Sequence, residues 1–198
     1  MDETGQRPDI QEAYKQAMAK LFGLSINKLQ IDEISDDMII AGLITPSNGQ
    51  LVSGLTELIV IGQDSEFAEK VEKTLNFFLF HPDALAHDFT TRLGLLTSAY
   101  HQLKISGREY TVPVELFDKI MEEGRNQLAR QSQKIIDADQ EKDRFNARFT
   151  RQLLSPMINS LQRSLILLLS FTNHLTPQEI EDRTKFINAS AGNENDTD

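Results

Sequence analysis

The chain has 198 residues, with 20 Lys and Arg against 30 Asp and Glu, a formal charge of −10. It contains no Cys and no Trp, which excludes a disulfide framework, a thiolate metal site and a cysteine nucleophile. The acidic balance excludes indiscriminate nucleic-acid binding, because phosphate contacts need a surplus of Lys and Arg.

Residues 1–8 are polar and are expected to form a flexible N-terminus. The start, Met1-Asp2-Glu3, lacks the basic and apolar stretches of an export signal. The longest apolar run, Leu165 to Leu169, is far short of the roughly 20 residues a membrane helix needs. A cytoplasmic protein is therefore expected. From Asp9, a capping residue, Ala13, Tyr14, Ala17, Met18, Leu21 and Phe22 recur at helical spacing, and Gly23 is a stop signal. Residues 24–37 fit no single period.

Residues 38–61 read as a β-hairpin or small meander. Met38 to Ile44 is short and β-branched, Thr45-Pro46-Ser47-Asn48-Gly49 is a turn signal, and Leu58 to Ile61 is again β-prone. A helix over 51–60 competes with that reading. After Asp64 the helical period returns with Phe67, Val71, Leu75 and Phe78, until His81-Pro82 breaks it. The next helix is expected from about Asp83 to Leu103, with Leu85, Phe89, Leu93, Leu96 and Tyr100 as its buried stripe. Tyr110-Thr111-Val112 forms a connection or a small strand.

From Pro113 a long polar helical region extends to about Leu154. Ser155-Pro156 then reads as an N-cap with proline at the first helical position, the alternative being a kink in one continuous helix. Met157, Ile158, Leu161, Leu165, Leu168 and Leu169 form the strongest apolar stripe of the chain. Thr176-Pro177-Gln178-Glu179 has the pattern of a capping box. The expected fold is mainly α, α+β at most: a helical bundle-like domain over 9–188 with long C-terminal helices. A sub-boundary is possible near 105–113, and a disordered tail is expected over 189–198.

Two sets of residues could carry function. The first is Arg144, Arg148 and Arg151 on one helix face, with Phe145 and Phe149 on the adjacent strip. With Met157, Leu161 and Leu165 they could bind a partner protein, or a second copy, through an apolar helical surface selected by charge. The second is His81-Pro82-Asp83-Ala84-Leu85-Ala86-His87-Asp88. His87-Asp88 resembles the central dipeptide of HD-type phosphohydrolases. That resemblance implies a metal-dependent hydrolase of phosphorylated substrates acting through His81, Asp83, His87 and Asp88, with His81, His87 and Asp88 as metal ligands. The remote ligands of that family have no clear counterpart beyond Asp118.

His81-Pro82-Asp83, with Ala99-Tyr100 further on, also resembles the J-domain co-chaperones over residues 65–104. That resemblance implies a co-chaperone whose preceding helix docks on an acidic surface. Here that helix alternates Glu66, Glu69, Lys70, Glu72 and Lys73 and then turns wholly apolar at Phe77 to Phe80. No glycine-rich phosphate loop or nucleophile elbow is present. The reading that best fits the chain is a protein without catalytic function or cofactor. It would be an adaptor, a complex subunit or an acidic chaperone-like protein.

Overall fold

The computed structural model describes residues 7–22, 47–81 and 87–191. Among them lie seven helices and no strand: α1 (Arg7–Phe22), α2 (Asn48–Ile61), α3 (Ala68–Phe80), α4 (Phe89–Ile105), α5 (Val114–Gln140), α6 (Arg144–Leu169) and α7 (Pro177–Ser190). The mainly helical expectation holds. The chain divides into two compact units, Met1–Tyr110 and Thr111–Asp198. No helix among the described residues is long and apolar enough to cross a membrane.

In the first unit α1 packs along α2, α2 along α4, and α3 against both α2 and α4. The expected hairpin is corrected here. Residues 48–61 are helix, while 38–46 lie outside the described residues. Ser47 caps α2 reciprocally: its Oγ accepts from Gln50 N–H at 3.3 Å, and its own N–H donates to Gln50 Oε1 at 2.9 Å. Leu51, Leu55, Leu58 and Ile59 are then buried at helical spacing. Gly54 allows the close approach of α1, since a Cβ there would lie 2.9 Å from Leu21 Cδ1 and 3.0 Å from the Ala17 carbonyl oxygen. The gain from burying these aliphatic side chains, about 1.5–3 kcal/mol each, outweighs the modest β preference of Val and Ile.

α3 ends at His81, as the His-Pro break predicts. α4 begins later than expected, at Phe89, and its cap is Asp88, whose carboxylate accepts from Thr91 N–H at 2.8 Å. Asp83 and Leu85 lie outside the described residues, whereas Phe89, Leu93, Leu96 and Tyr100 are buried as the periodicity implies. The buried Arg92 joins the two helices. Its Nη1 donates to the carbonyls of His81 at 2.8 Å and of Phe78 and Leu79 at 3.3 Å, while Nε donates to His87 at 2.7 Å. It thus satisfies carbonyls that the end of α3 leaves without intrahelical donors.

In the second unit α5 and α6 form an antiparallel hairpin. Asp139 meets Arg151 near its tip, and Gly124 meets Leu165 lower down. A Cβ on Gly124 would lie 2.5 Å from Leu165 Cδ2, so the glycine sets the spacing of the two helices. The break falls at Glu141-Lys142-Asp143, not at Ser155-Pro156. Asp143 caps α6 by accepting from Phe145 N–H at 3.0 Å and Asn146 N–H at 3.2 Å. Pro156 lies inside α6, so Ser155 is no cap and one helix runs from 144 to 169. Tyr110 to Val112 form no strand; Val112 N–H donates to the Phe171 carbonyl at 2.9 Å.

α7 starts at the predicted Thr176–Glu179 capping box and continues through Ala189 and Ser190, which the sequence assigned to the tail. It packs on both α5 and α6 and buries Ile187. Its C-terminal end is held where Ser132 Oγ donates to the Ser190 carbonyl at 2.9 Å and Gln162 Nε2 donates to Asn188 Oδ1 at 2.6 Å.

Candidate protein-interaction face on the α5–α6 hairpin

α7 stops at the level of Ser132 and Gln162, so among the described residues it leaves the tip of the hairpin uncovered. Four exposed large apolar side chains lie on that tip: Ile136 on α5 and Phe145, Phe149 and Leu153 on α6. Phe145 is 80 % exposed, Phe149 56 % and Leu153 57 %. Their spacing of i, i+4 and i+8 makes one stripe about 12 Å long. At about 100° per residue the stripe points away from the side of α6 that carries Ile158, Leu161 and Leu165 into the core. It is therefore a second apolar face on a helix that already has one.

Arg144, Arg148 and Arg151 form the neighbouring strip, and all three are exposed. Arg151 is ion-paired to Asp139 across the hairpin. Among the described residues no carboxylate lies within ion-pair distance of Arg144 or Arg148. Glu141 is instead engaged by Asn146, whose Nδ2 donates to Oε2 at 2.9 Å, and Asp143 caps the helix. Neither carboxylate is in direct contact with the two arginines.

The structure divides the sequence-derived set. Arg144, Phe145, Arg148, Phe149 and Arg151 are on the surface. Leu161 and Leu165 are fully buried and Met157 is half-buried. Leu161 and Leu165 hold α6 against its own unit and are not free to meet a partner. Leu153 belongs to the exposed stripe and was missed, although its place four residues after Phe149 was readable.

Of the His81–Asp88 segment, the described residues are His81, His87 and Asp88. The His81 ring stacks on Phe77 with centroids 4.4 Å apart, Asp88 caps α4, and the His87 carbonyl is held by Arg92. Among the described residues no three His, Asp or Glu side chains come together in a cluster that could hold a metal ion. Pro82 and Asp83 of the His-Pro-Asp tripeptide lie outside the described residues, and Asp83 is also a member of the hydrolase set.

A separate cleft of about 190 Å³ between α5 and α7 is lined by Met121, Arg125, Asp182, Arg183, Phe186 and Ile187. It is smaller than the roughly 300 Å³ at which small-molecule pockets begin. Its arginines already lie over aromatic rings of the same unit, Arg125 on Phe186 at 5.8 Å and Arg183 on Phe117 at 5.7 Å.

Fold and surface together describe a helical protein of two compact units with an exposed apolar and arginine-bearing helix face. No protein-family model matches the chain, and no curated protein or solved structure matches it either.

Proposed function

We propose that this chain is a non-catalytic protein-interaction module, an adaptor or complex subunit, that holds a partner protein on the N-terminal half of α6. The observation that carries this reading is the outward row of Phe145, Phe149 and Leu153 on a helix whose opposite face already fills the core. Contiguous exposed apolar side chains are what association removes from water. Fully burying three such side chains would contribute roughly 4–8 kcal/mol before the cost of association is subtracted. Aromatic side chains are also enriched among the residues that dominate binding energy at protein interfaces.

The test compares the wild-type chain with a Phe145→Ser/Phe149→Ser variant, each purified from the native host and weighed in solution. The wild-type chain should retain a partner through size-exclusion chromatography. The variant should run at the mass of the chain alone, with unchanged far-ultraviolet circular dichroism, since both rings are exposed. Equal masses and equal partner recovery for the two proteins would refute the reading.

A further inference from the structure

α6 carries Arg144, Arg148, Arg151 and Arg163 and no Asp or Glu among its 26 residues, so all 30 carboxylates of the chain lie elsewhere. Two of these arginines, Arg144 and Arg148, stand one turn apart, exposed and without a carboxylate partner among the described residues. They are also at an unfavourable end of the helix. The N-terminus of a helix carries partial positive charge and favours acidic side chains in its first turn, yet the first turn of α6 has none. Asp143 at the cap offsets this only in part.

The strip of Arg144 and Arg148 and the stripe of Phe145, Phe149 and Leu153 are adjacent sectors of the same helix, their nearer edges about 60° apart. A helix laid over the boundary touches both at once. From this juxtaposition, and resting on the reading of α6 as a docking face, we propose that the partner presents an acidic amphipathic α-helix. Its apolar stripe covers Phe145, Phe149 and Leu153, and Glu or Asp side chains one turn apart pair with Arg144 and Arg148. Such carboxylates relieve the unpaired guanidiniums and the unfavourable helix dipole together.

Charge selects this occupant over two others. A second copy docked through the same face would set α6 against α6 and bring two arginine rows together. A nucleic-acid backbone would satisfy the arginines but give no apolar cover to the leucine and phenylalanine stripe.

The experiment uses the full chain and two fluorescent helical peptides of about 18 residues. Both carry Leu at i, i+3/i+4 and i+7. One has Glu along the flank and the other has Lys at the same positions. By anisotropy at low salt, the Glu peptide should bind at least about 30-fold more tightly than the Lys peptide, and added salt should narrow that gap. Arg144→Glu/Arg148→Glu should reverse the preference, so that the Lys peptide binds the variant better. Phe145→Ser/Phe149→Ser should weaken the Glu peptide at least about tenfold.

Equal binding of the two peptides, or no response to arginine reversal, overturns the acidic partner while leaving the docking face intact if the serine variant still loses binding. If neither peptide binds, or the serine variant binds as the wild type does, the acidic partner is overturned. The separate comparison of native-host masses then decides the docking face alone. A concentration-dependent dimer that Phe149→Ser dissolves assigns the face to a second copy and overturns the proposal. Displacement of the Glu peptide by a single-stranded oligonucleotide at equal concentration does so in favour of nucleic acid.

Discussion

The two halves of α6 both carry large apolar side chains, and these meet opposite fates. From Ile158 to Leu169 the leucines at 161, 165, 168 and 169 are buried beneath α5 and α7. From Arg144 to Pro156 the apolar residues of the outer stripe face solvent, while the small Ala147 is half-buried. The difference lies in what covers them. α7 extends over the first of these regions and ends before the second. A leucine or phenylalanine in this helix is therefore a core residue or a contact residue according to its level on the hairpin.

Substitution can break that contrast most sharply in the buried half. Leu165→Ala should cost about 3 kcal/mol in urea unfolding, by lost transfer energy and a residual cavity against Gly124. Phe149→Ala or Leu153→Ala should stay within about 0.5 kcal/mol, as exposed side chains do. Equal costs in the two halves would mean the outer stripe is part of the core. Pro156 lies near the changeover and supplies no amide to the helix ladder. Pro156→Ala should raise stability by about 2–3 kcal/mol, read as a higher urea midpoint.

The first unit offers a polar counterpart to the buried leucines. Arg92→Ala removes donors from the Phe78, Leu79, His81 and His87 carbonyls and should cost about 2 kcal/mol, with faster amide exchange at the α3 and α4 ends as its local sign. Burial pushes the guanidinium pKa below its usual value, and nearby Asp88 opposes that shift. At the hairpin tip, Asp143→Ala should cost about 1 kcal/mol by leaving the first amides of α6 uncapped. If that variant also weakens the Glu peptide, the start of α6 must be ordered for docking.

The smallest effect is a pH dependence of the first unit. Burial raises the Tyr14 and Tyr100 hydroxyl pKa values above the ordinary 10.0, with the Thr74 hydrogen bond and Lys70 opposing the shift at Tyr14. Both groups are protonated below the unfolded-state value, so their contribution is fully present there. It is lost as pH rises past 10 and the unfolded chain ionises first. At pH 10.5 the loss should be under about 1 kcal/mol per tyrosine, and Tyr14→Phe should reduce it.

Some helix boundaries were legible because a local signal and the long-range packing agree. His81-Pro82 ends α3 and Thr176-x-x-Glu179 starts α7, each by chemistry within a few residues. α2 was obscured because its Val- and Ile-rich sequence is also good strand sequence. The signals that could have found it were Ser47-x-x-Gln50 as a capping box and Leu51, Leu55 and Leu58 at helical spacing. The arginine and phenylalanine strips of the candidate face were readable from spacing alone. Their separation from Leu161 and Leu165 was not, since all are apolar or basic positions on one continuous helix.

The His81-Pro82 stop, the Thr176–Glu179 capping box and the absence of cysteine are properties of neighbouring residues or of composition, so the amino-acid order alone settles them. Where α5 turns back is different. The chain breaks at Glu141-Lys142-Asp143 without proline or glycine and passes through Pro156 without breaking. Antiparallel packing of α5 on α6, set at Gly124 and Leu165, decides both, because its burial energy exceeds the local cost of one missing amide hydrogen bond. The same packing, with the length of α7, decides which apolar residues of α6 are left facing water.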